Sequence, residues 1–258
     1  MKIYVVTHEP VTLDLPPDYE LFQVGTAVNG AFLEHNDAVG EDNISAKNPN
    51  YCELTAAYWI WKNDYENDIV GLMHYRRFLT CSKFSSDSKY WLTEVQIKDP
   101  LKNGYDFIAT PLFKNKPNVR HTLFNSVREH DYRLLRDIFK QKYPSYINIF
   151  DKVFNGRYTY LCNIFIATKV EWDKYYSWLF AIFDEMEPHV DMAGYSTQEK
   201  RLYGYLAERL FTVYVLIFNK KVKSYRLIYP RIKVPLLTRI CNKIKRIFGI
   251  TKRKNTDS

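Results

Sequence analysis

The chain has 258 residues and a mass of 30.8 kDa, with 46% hydrophobic and 16% aromatic content, which suits one large buried core and excludes general disorder. Its formal charge of +8 is local: nine basic residues and no acid lie between Arg231 and Lys254, leaving −1 for everything else. A near-neutral body lacks the basic surplus of a phosphate-tracking groove, so nucleic acid is not expected as a partner.

KIYVVTH (2–8) has the short β-branched pattern of a buried first strand, and YELFQVG (19–25) that of a second ending at Gly25. Residues 29–48 are polar and loop-like. Asn48 and Pro49 suit an N-cap and a first helical position, which predicts a helix from about Pro49 to Lys62. IVGLMHYRRFL (69–79) is expected as a third strand carrying His74 to Arg77 near its carboxyl end, and YDFIATP (105–111) as a fourth. A helical region over about 121–155 is interrupted at Pro144, then LCNIFIATK (161–169) predicts another strand. Two helices follow, EWDKYYSWLFAIFDEME (171–187) and, after a loop with Gly194, TQEKRLYGYLAERLFTVYVLI (197–217). Short apolar strands alternating with helices imply an α/β layered fold, with ligands beyond the carboxyl ends of the strands. His8, the 40–48 loop and His74 to Arg77 are expected to converge there.

The four cysteines (Cys52, Cys81, Cys162, Cys241) have no paired spacing, so neither a zinc site nor a disulfide framework is expected. The first apolar run is too short for a secretory signal, and no run approaches the ~18 residues of a membrane span. A reducing cytoplasm is the expected location.

Adjacent residues on a strand face opposite ways, so Arg76 should share a face with His74 while Arg77 faces away. Planar arginine forks suit diphosphate oxygens. Asp42 and Asn43 either make turn hydrogen bonds or contact a ligand. Lys47 just before a helix start is electrostatically awkward unless an anion sits there. Glu53 is either solvent-facing or a buried partner of an arginine. On the last helix Gln198, Arg201, Tyr205, Glu208 and Arg209 form one stripe and Leu202, Leu206, Leu210 and Val213 another; amphipathicity alone produces such a stripe, while Glu208 beside Tyr205 also suits a catalytic carboxylate. In the tail, Leu237, Ile240, Ile244, Ile247 and Phe248 recur at helical spacing among lysines and arginines, the pattern of a helix lying on an anionic membrane.

In order along the chain, GEDNISAKNPNYCELTAAYWIWKN, GLMHYRRF, KYPSYINIF, CNIFIATK with a following WLF, and GYLAERL resemble a bacterial family of polysaccharide-biosynthesis glycosyltransferases long catalogued only as a domain of unknown function. The resemblance runs from about Lys2 to Ile217. It implies a GT-A-like nucleotide-sugar-binding domain (1–230) with a central mixed sheet flanked by helices, and leaves the basic amphipathic tail (231–258) outside. It implies transfer of a hexosyl residue, galactofuranosyl or galactosyl, from a UDP-sugar to a lipid-linked oligosaccharide in capsule, exopolysaccharide or O-antigen assembly, at the inner face of the plasma membrane. A non-catalytic nucleotide- or glycan-binding regulator on the same fold is the alternative. One departure matters: GT-A enzymes commonly hold a metal through Asp-x-Asp, and this sequence has none. No cofactor is therefore expected, with cationic side chains taking the metal's place; Mn²⁺ or Mg²⁺ on unidentified ligands is the alternative. Under the resemblance, Glu208 is the expected catalytic base, with Asp42 its rival, in an inverting transfer. The nucleotide-sugar would contact Thr7, His8, Asn43, Lys47, His74, Tyr75, Arg76, Arg77, Asn163, Arg201 and Arg209.

Overall fold

The protein is described by a computed structural model covering residues 1–82 and 90–229; the amphipathic tail expected at 231–258 lies outside the described residues. The strands are β1 (Lys2–Thr7), β2 (Tyr19–Gln23), β3 (Ile69–His74), β4 (Phe78–Thr80), β5 (Phe107–Ala109), β6 (Phe113–Lys114), β7 (Tyr158–Thr159), β8 (Phe165–Thr168), β9 (Val222–Ser224) and β10 (Arg226–Ile228). The helices are α1 (Thr26–Asn29), α2 (Asn48–Tyr51), α3 (Leu54–Asn63), α4 (Glu94–Lys102), α5 (Val119–Leu123), α6 (Glu129–Lys142), α7 (Ile147–Asn155), α8 (Lys169–Met186) and α9 (Leu202–Ile217).

Six strands form the central sheet in the order β2-β1-β3-β8-β5-β9. β1 lies parallel to both β2 and β3, β8 runs antiparallel between β3 and β5, and β9 is parallel to β5. The expected mixed sheet flanked by helices is therefore present. Strand alternation sends side chains to two buried faces. Tyr4, Val6, Val70, Leu72, Phe107 and Phe165 join the larger core with the α3 and α6–α9 helices, while Ile3, Val5, Met73, Ile108 and Ile166 pack on the other side with Trp91 and Ile97 of the α4 region. A Cβ at Gly71 would lie 2.6 Å from Ile166 Cγ1 and 2.9 Å from Ile3 Cδ1, so the middle of β3 tolerates only glycine without repacking.

Several expectations need correction. The strand expected over 69–79 stops at His74: His74 and Arg77 exchange backbone hydrogen bonds, and the chain reverses through Tyr75-Arg76 into β4. The opposite-faces argument for Arg76 and Arg77 therefore does not apply. The helix expected from Pro49 to Lys62 is broken in two at Cys52, whose φ is 54°. Asn48 is inside the first turn, not its cap; its amide donates to the Cys52 carbonyl at 2.8 Å and the Thr55 hydroxyl at 3.1 Å, tying the break together. β8 begins at Phe165 because Cys162 and Asn163 both have positive φ. Helix α4 was not anticipated, although Thr93 and Gln96 form a reciprocal capping box; β9 and β10 were also missed.

Candidate active site

β1, β2 and β3 run in the same direction, so their carboxyl ends share one edge of the sheet. At that edge a cleft of about 380 Å³ opens between the strand ends and the break between α2 and α3, within the range of ligand pockets. Val6 and Thr7 end β1 and His8 follows it, Val24 follows β2, and His74 ends β3 with Arg76 just beyond. The facing wall is Asn48, Pro49, Cys52 and Glu53, with Thr197, Lys200 and Arg201 at the mouth. Gly25 shapes the β2 side: its φ is 71°, and a Cβ there would meet Asn48 Oδ1 at 2.5 Å.

The loop from Gly25 to Ser45 is held by Asp37, which sequence reasoning overlooked. This fully buried carboxylate accepts from the Gly25 N–H at 2.7 Å, the Thr26 N–H at 3.1 Å, the Ser45 hydroxyl at 2.5 Å and the Thr55 hydroxyl at 2.6 Å. It fastens the loop to the start of α3 and so fixes two walls of the cleft. Nothing in the sequence around Asp37 separated it from an ordinary turn aspartate.

The cleft is rich in cations without acid partners. The exposed Arg76 guanidinium lies 4.9 Å from the Tyr75 ring centroid, and Tyr75 donates its hydroxyl to Glu9. Arg201 donates from Nε to Cys52 Sγ at 3.2 Å and lies 5.5 Å from the Tyr205 ring centroid. Among the described residues, neither Arg76, Arg77 nor Arg201 forms an ion pair with a carboxylate. Arg77 does not line the cleft, but its charge is felt at both His74 and Cys162. Burial, reinforced by Arg77 and Arg76, holds His74 down to about 3; its Nδ1 accepts the Arg76 N–H at 3.2 Å, leaving Nε2 as the donor of the neutral ring. Burial also lowers His8, and it pushes the Cys52 thiol up to about 12.

Glu53 is the sole carboxylate lining this cleft. It is half-buried, with one oxygen, Oε1, accepting from Asn163 Nδ2 at 2.7 Å. Burial raises its affinity for a proton, and Glu208 adds to the effect. Asn163 also donates to the Gly204 carbonyl at 3.0 Å. Glu208 lies behind, outside the lining: Oε1 accepts the Cys162 N–H at 2.9 Å, and Oε2 pairs with the buried Arg209.

Thr7, His8, His74, Arg76 and Arg201 thus meet at one cleft, with Asn163 reaching it through Glu53. Tyr75 is buried beneath Arg76. Thr7 is itself buried, its hydroxyl turned to the Glu9 carbonyl. The 40–47 residues are not brought there. Asp42 accepts from Tyr58 at 2.7 Å, Asn43 braces its own loop through the Gly40 carbonyl and Ser45 N–H, and Lys47 pairs with Glu187 at 2.7 Å. Lys200, Cys52 and Asn48 are lining residues that sequence reasoning did not select.

A second hollow of about 430 Å³ lies at the opposite edge of the sheet, beside Tyr4, Trp59, Asp64 and Asn67. Its polar groups largely satisfy one another: Asp64 accepts from Tyr4 at 2.8 Å and from Asn67 at 3.0 Å. The cationic cleft is the better site because its charges are unanswered.

Residues 2–221 match the family described as a Domain of unknown function (DUF4422), and the chain belongs to that family. Among solved structures, the apo structure of WbbM, a bifunctional glycosyltransferase, matches with a TM-score of 0.79 and 31% identity over 89% of this chain. The shared architecture is a GT-A-like fold. The chain spans 45% of that protein's length. No curated protein matches.

Proposed function

We propose that this protein is a glycosyltransferase that moves a hexosyl residue, galactosyl or galactofuranosyl, from a UDP-sugar to a lipid-linked glycan in cell-surface polysaccharide synthesis. One observation carries the reading: Arg76, Lys200 and Arg201 surround a cleft at the carboxyl edge of the sheet, and neither arginine has a carboxylate partner among the described residues. Three unanswered cations beside neutral histidines make a site for a diphosphate. The likeness to WbbM supports the transferase class.

Breaking the sugar–phosphate bond leaves growing negative charge on the nucleoside diphosphate. Fixed guanidinium and ammonium donors stabilise that charge without reorganisation. The GT-A fold raises the question of a divalent metal, and the donor set does not fit one. The sequence has no Asp-x-Asp; the cleft offers one carboxylate, and its two histidines stand among arginines that repel a cation. Among the described residues no cluster of three His, Cys, Asp or Glu side chains suits a metal. Charge stabilisation is therefore assigned to the cations. The lipid-linked acceptor is what the family resemblance implies, and the basic amphipathic sequence pattern of residues 231–254 suits an anionic inner-membrane surface; among the described residues no helix is long and apolar enough to cross a membrane.

The test is a panel of UDP- and GDP-sugars offered to the full chain with a glycan acceptor in excess EDTA. Thermal shift reports binding, and release of the nucleoside diphosphate reports turnover. Stabilisation by UDP compounds with acceptor-dependent UDP release is expected. Binding without turnover on any acceptor indicates a nucleotide-binding regulator, and turnover restored only by Mn²⁺ refutes metal independence.

A further inference from the structure

We propose that Glu53, rather than Glu208 or Asp42, is the catalytic base of the transfer, and that Glu208 is a positioning residue acting through the Cys162-Asn163 turn. This inference rests on the transferase reading above. The reason lies in where each carboxylate oxygen is committed. Glu208 has both oxygens engaged, one by the Cys162 N–H and one by Arg209. Asp42 lies outside the cleft, bonded to Tyr58. Glu53 lines the cleft and holds Asn163 with Oε1; among the described residues no other side chain donates to Oε2, and the further donor near the carboxylate is its own backbone N–H.

The backbone is bent twice to make this arrangement. Cys52, with φ 54°, breaks the helix one residue before Glu53 and starts α3 with the carboxylate directed at the cleft. Across from it, Cys162 and Asn163 have φ of 77° and 48°. Left-handed backbone at non-glycine residues is uncommon and collects at functional sites. The Glu208 carboxylate holds this turn by its hydrogen bond to the Cys162 N–H, and the turn presents the Asn163 amide to Glu53. The chain of contacts runs from Glu208 through Cys162 and Asn163 to Glu53.

The step balances as a direct displacement. The acceptor hydroxyl gives its proton to Glu53 Oε2 while its oxygen forms the bond to the anomeric carbon of the donor sugar. The bond from that carbon to the diphosphate breaks, and its electron pair leaves with UDP beside Arg76 and Arg201. Glu53 then returns the proton to solvent. A base is most useful with a proton affinity closer to neutrality than a free carboxylate has, and burial moves Glu53 in that direction. The groups that act on it are Asn163 from the turn before β8, Glu208 and Arg201 from the α9 region, its own backbone N–H, Cys52 beside it, and Tyr176 of α8; His74 shares the cleft as a neutral ring.

The experiment compares UDP binding, turnover and pH profiles of the full chain with those of three variants. Glu53→Gln is expected to keep UDP binding within about threefold and to lose turnover by about 10²- to 10⁴-fold, the usual contribution of a general base. Asn163→Gly keeps the left-handed backbone and removes the amide. Without that donor the carboxylate binds its proton more tightly, so the acidic limb of kcat/KM should move to higher pH, a shift that a purely structural role would not cause. Glu208→Gln removes a negative charge that raises the Glu53 proton affinity, so its limb should move the other way, to lower pH. Retained turnover in Glu53→Gln, or an unmoved limb in Asn163→Gly, overturns the base assignment alone. If Glu53→Gln does not fold, the Asn163→Gly limb decides. A wild-type chain that binds UDP but transfers nothing overturns the transferase reading and this inference with it.

Discussion

Replacing Arg76 by Ala separates a binding role from a structural one. Arg76 is exposed and forms no ion pair among the described residues; its stabilising contact is the approach to Tyr75 at 4.9 Å from the ring centroid. A cation–π contact at an exposed site contributes about 0.5–1 kcal/mol, so the variant should unfold in urea within about 1 kcal/mol of wild type. A hydrogen bond to a charged group contributes about 1.5–3 kcal/mol, and its loss from a bound diphosphate weakens affinity about 10- to 150-fold. Titration calorimetry with UDP, at low and at physiological salt, should show this loss and a smaller salt dependence in the variant. Arg76→Lys should recover part of the affinity, since charge remains while the planar fork is gone. UDP affinity in Arg76→Ala within twofold of wild type would refute the assignment of this guanidinium to the diphosphate.

Asp37→Ala should destabilise the fold strongly. It orphans the buried Gly25 and Thr26 N–H groups at roughly 1–3 kcal/mol each, about 2–6 kcal/mol in urea denaturation; a change below about 1 kcal/mol would remove Asp37 as the clamp. His74 gives a pH dependence. Its proton affinity falls to about 3 in the folded chain from an ordinary 6.5, so the unfolded chain binds the extra proton between those values. Stability from this residue is complete above about pH 6.5 and is lost as pH falls toward about 3. His74→Asn should flatten the fall of the urea midpoint between pH 6.5 and 4, whereas an unchanged slope would contradict the buried neutral ring. Deleting residues 231–258 should release the protein from anionic vesicles while leaving UDP binding intact; vesicle binding that survives the deletion would place the contact elsewhere.

Periodicity carried the frame of the fold. β1, β2, α8 and α9 could be read from their apolar spacing, because each buries one or two continuous faces in the cores on either side of the sheet. Two of the departures, the break between α2 and α3 and the late start of β8, occur where single residues take unusual backbone. Cys52, Cys162 and Asn163 adopt positive φ, and nothing in a cysteine announces this. The Tyr75-Arg76 reversal has no glycine or asparagine to mark it, and its apolar flanks imitate one long strand. The same blindness shaped the site. His8, His74, Arg76 and Arg201 could be chosen from charge and position alone. The choice between Glu53 and Glu208 depends on which oxygens are already taken, and that is visible only when β8 and α9 are seen against the break between α2 and α3.

A structure of the full chain soaked with UDP tests the diphosphate cradle most directly. The expected result is phosphate oxygens within hydrogen-bonding distance of the Arg76 and Arg201 guanidinium groups, with Glu53 facing the vacant acceptor side. Nucleotide seated in the opposite hollow beside Trp59 and Asp64, with both arginines left in solvent, would contradict it.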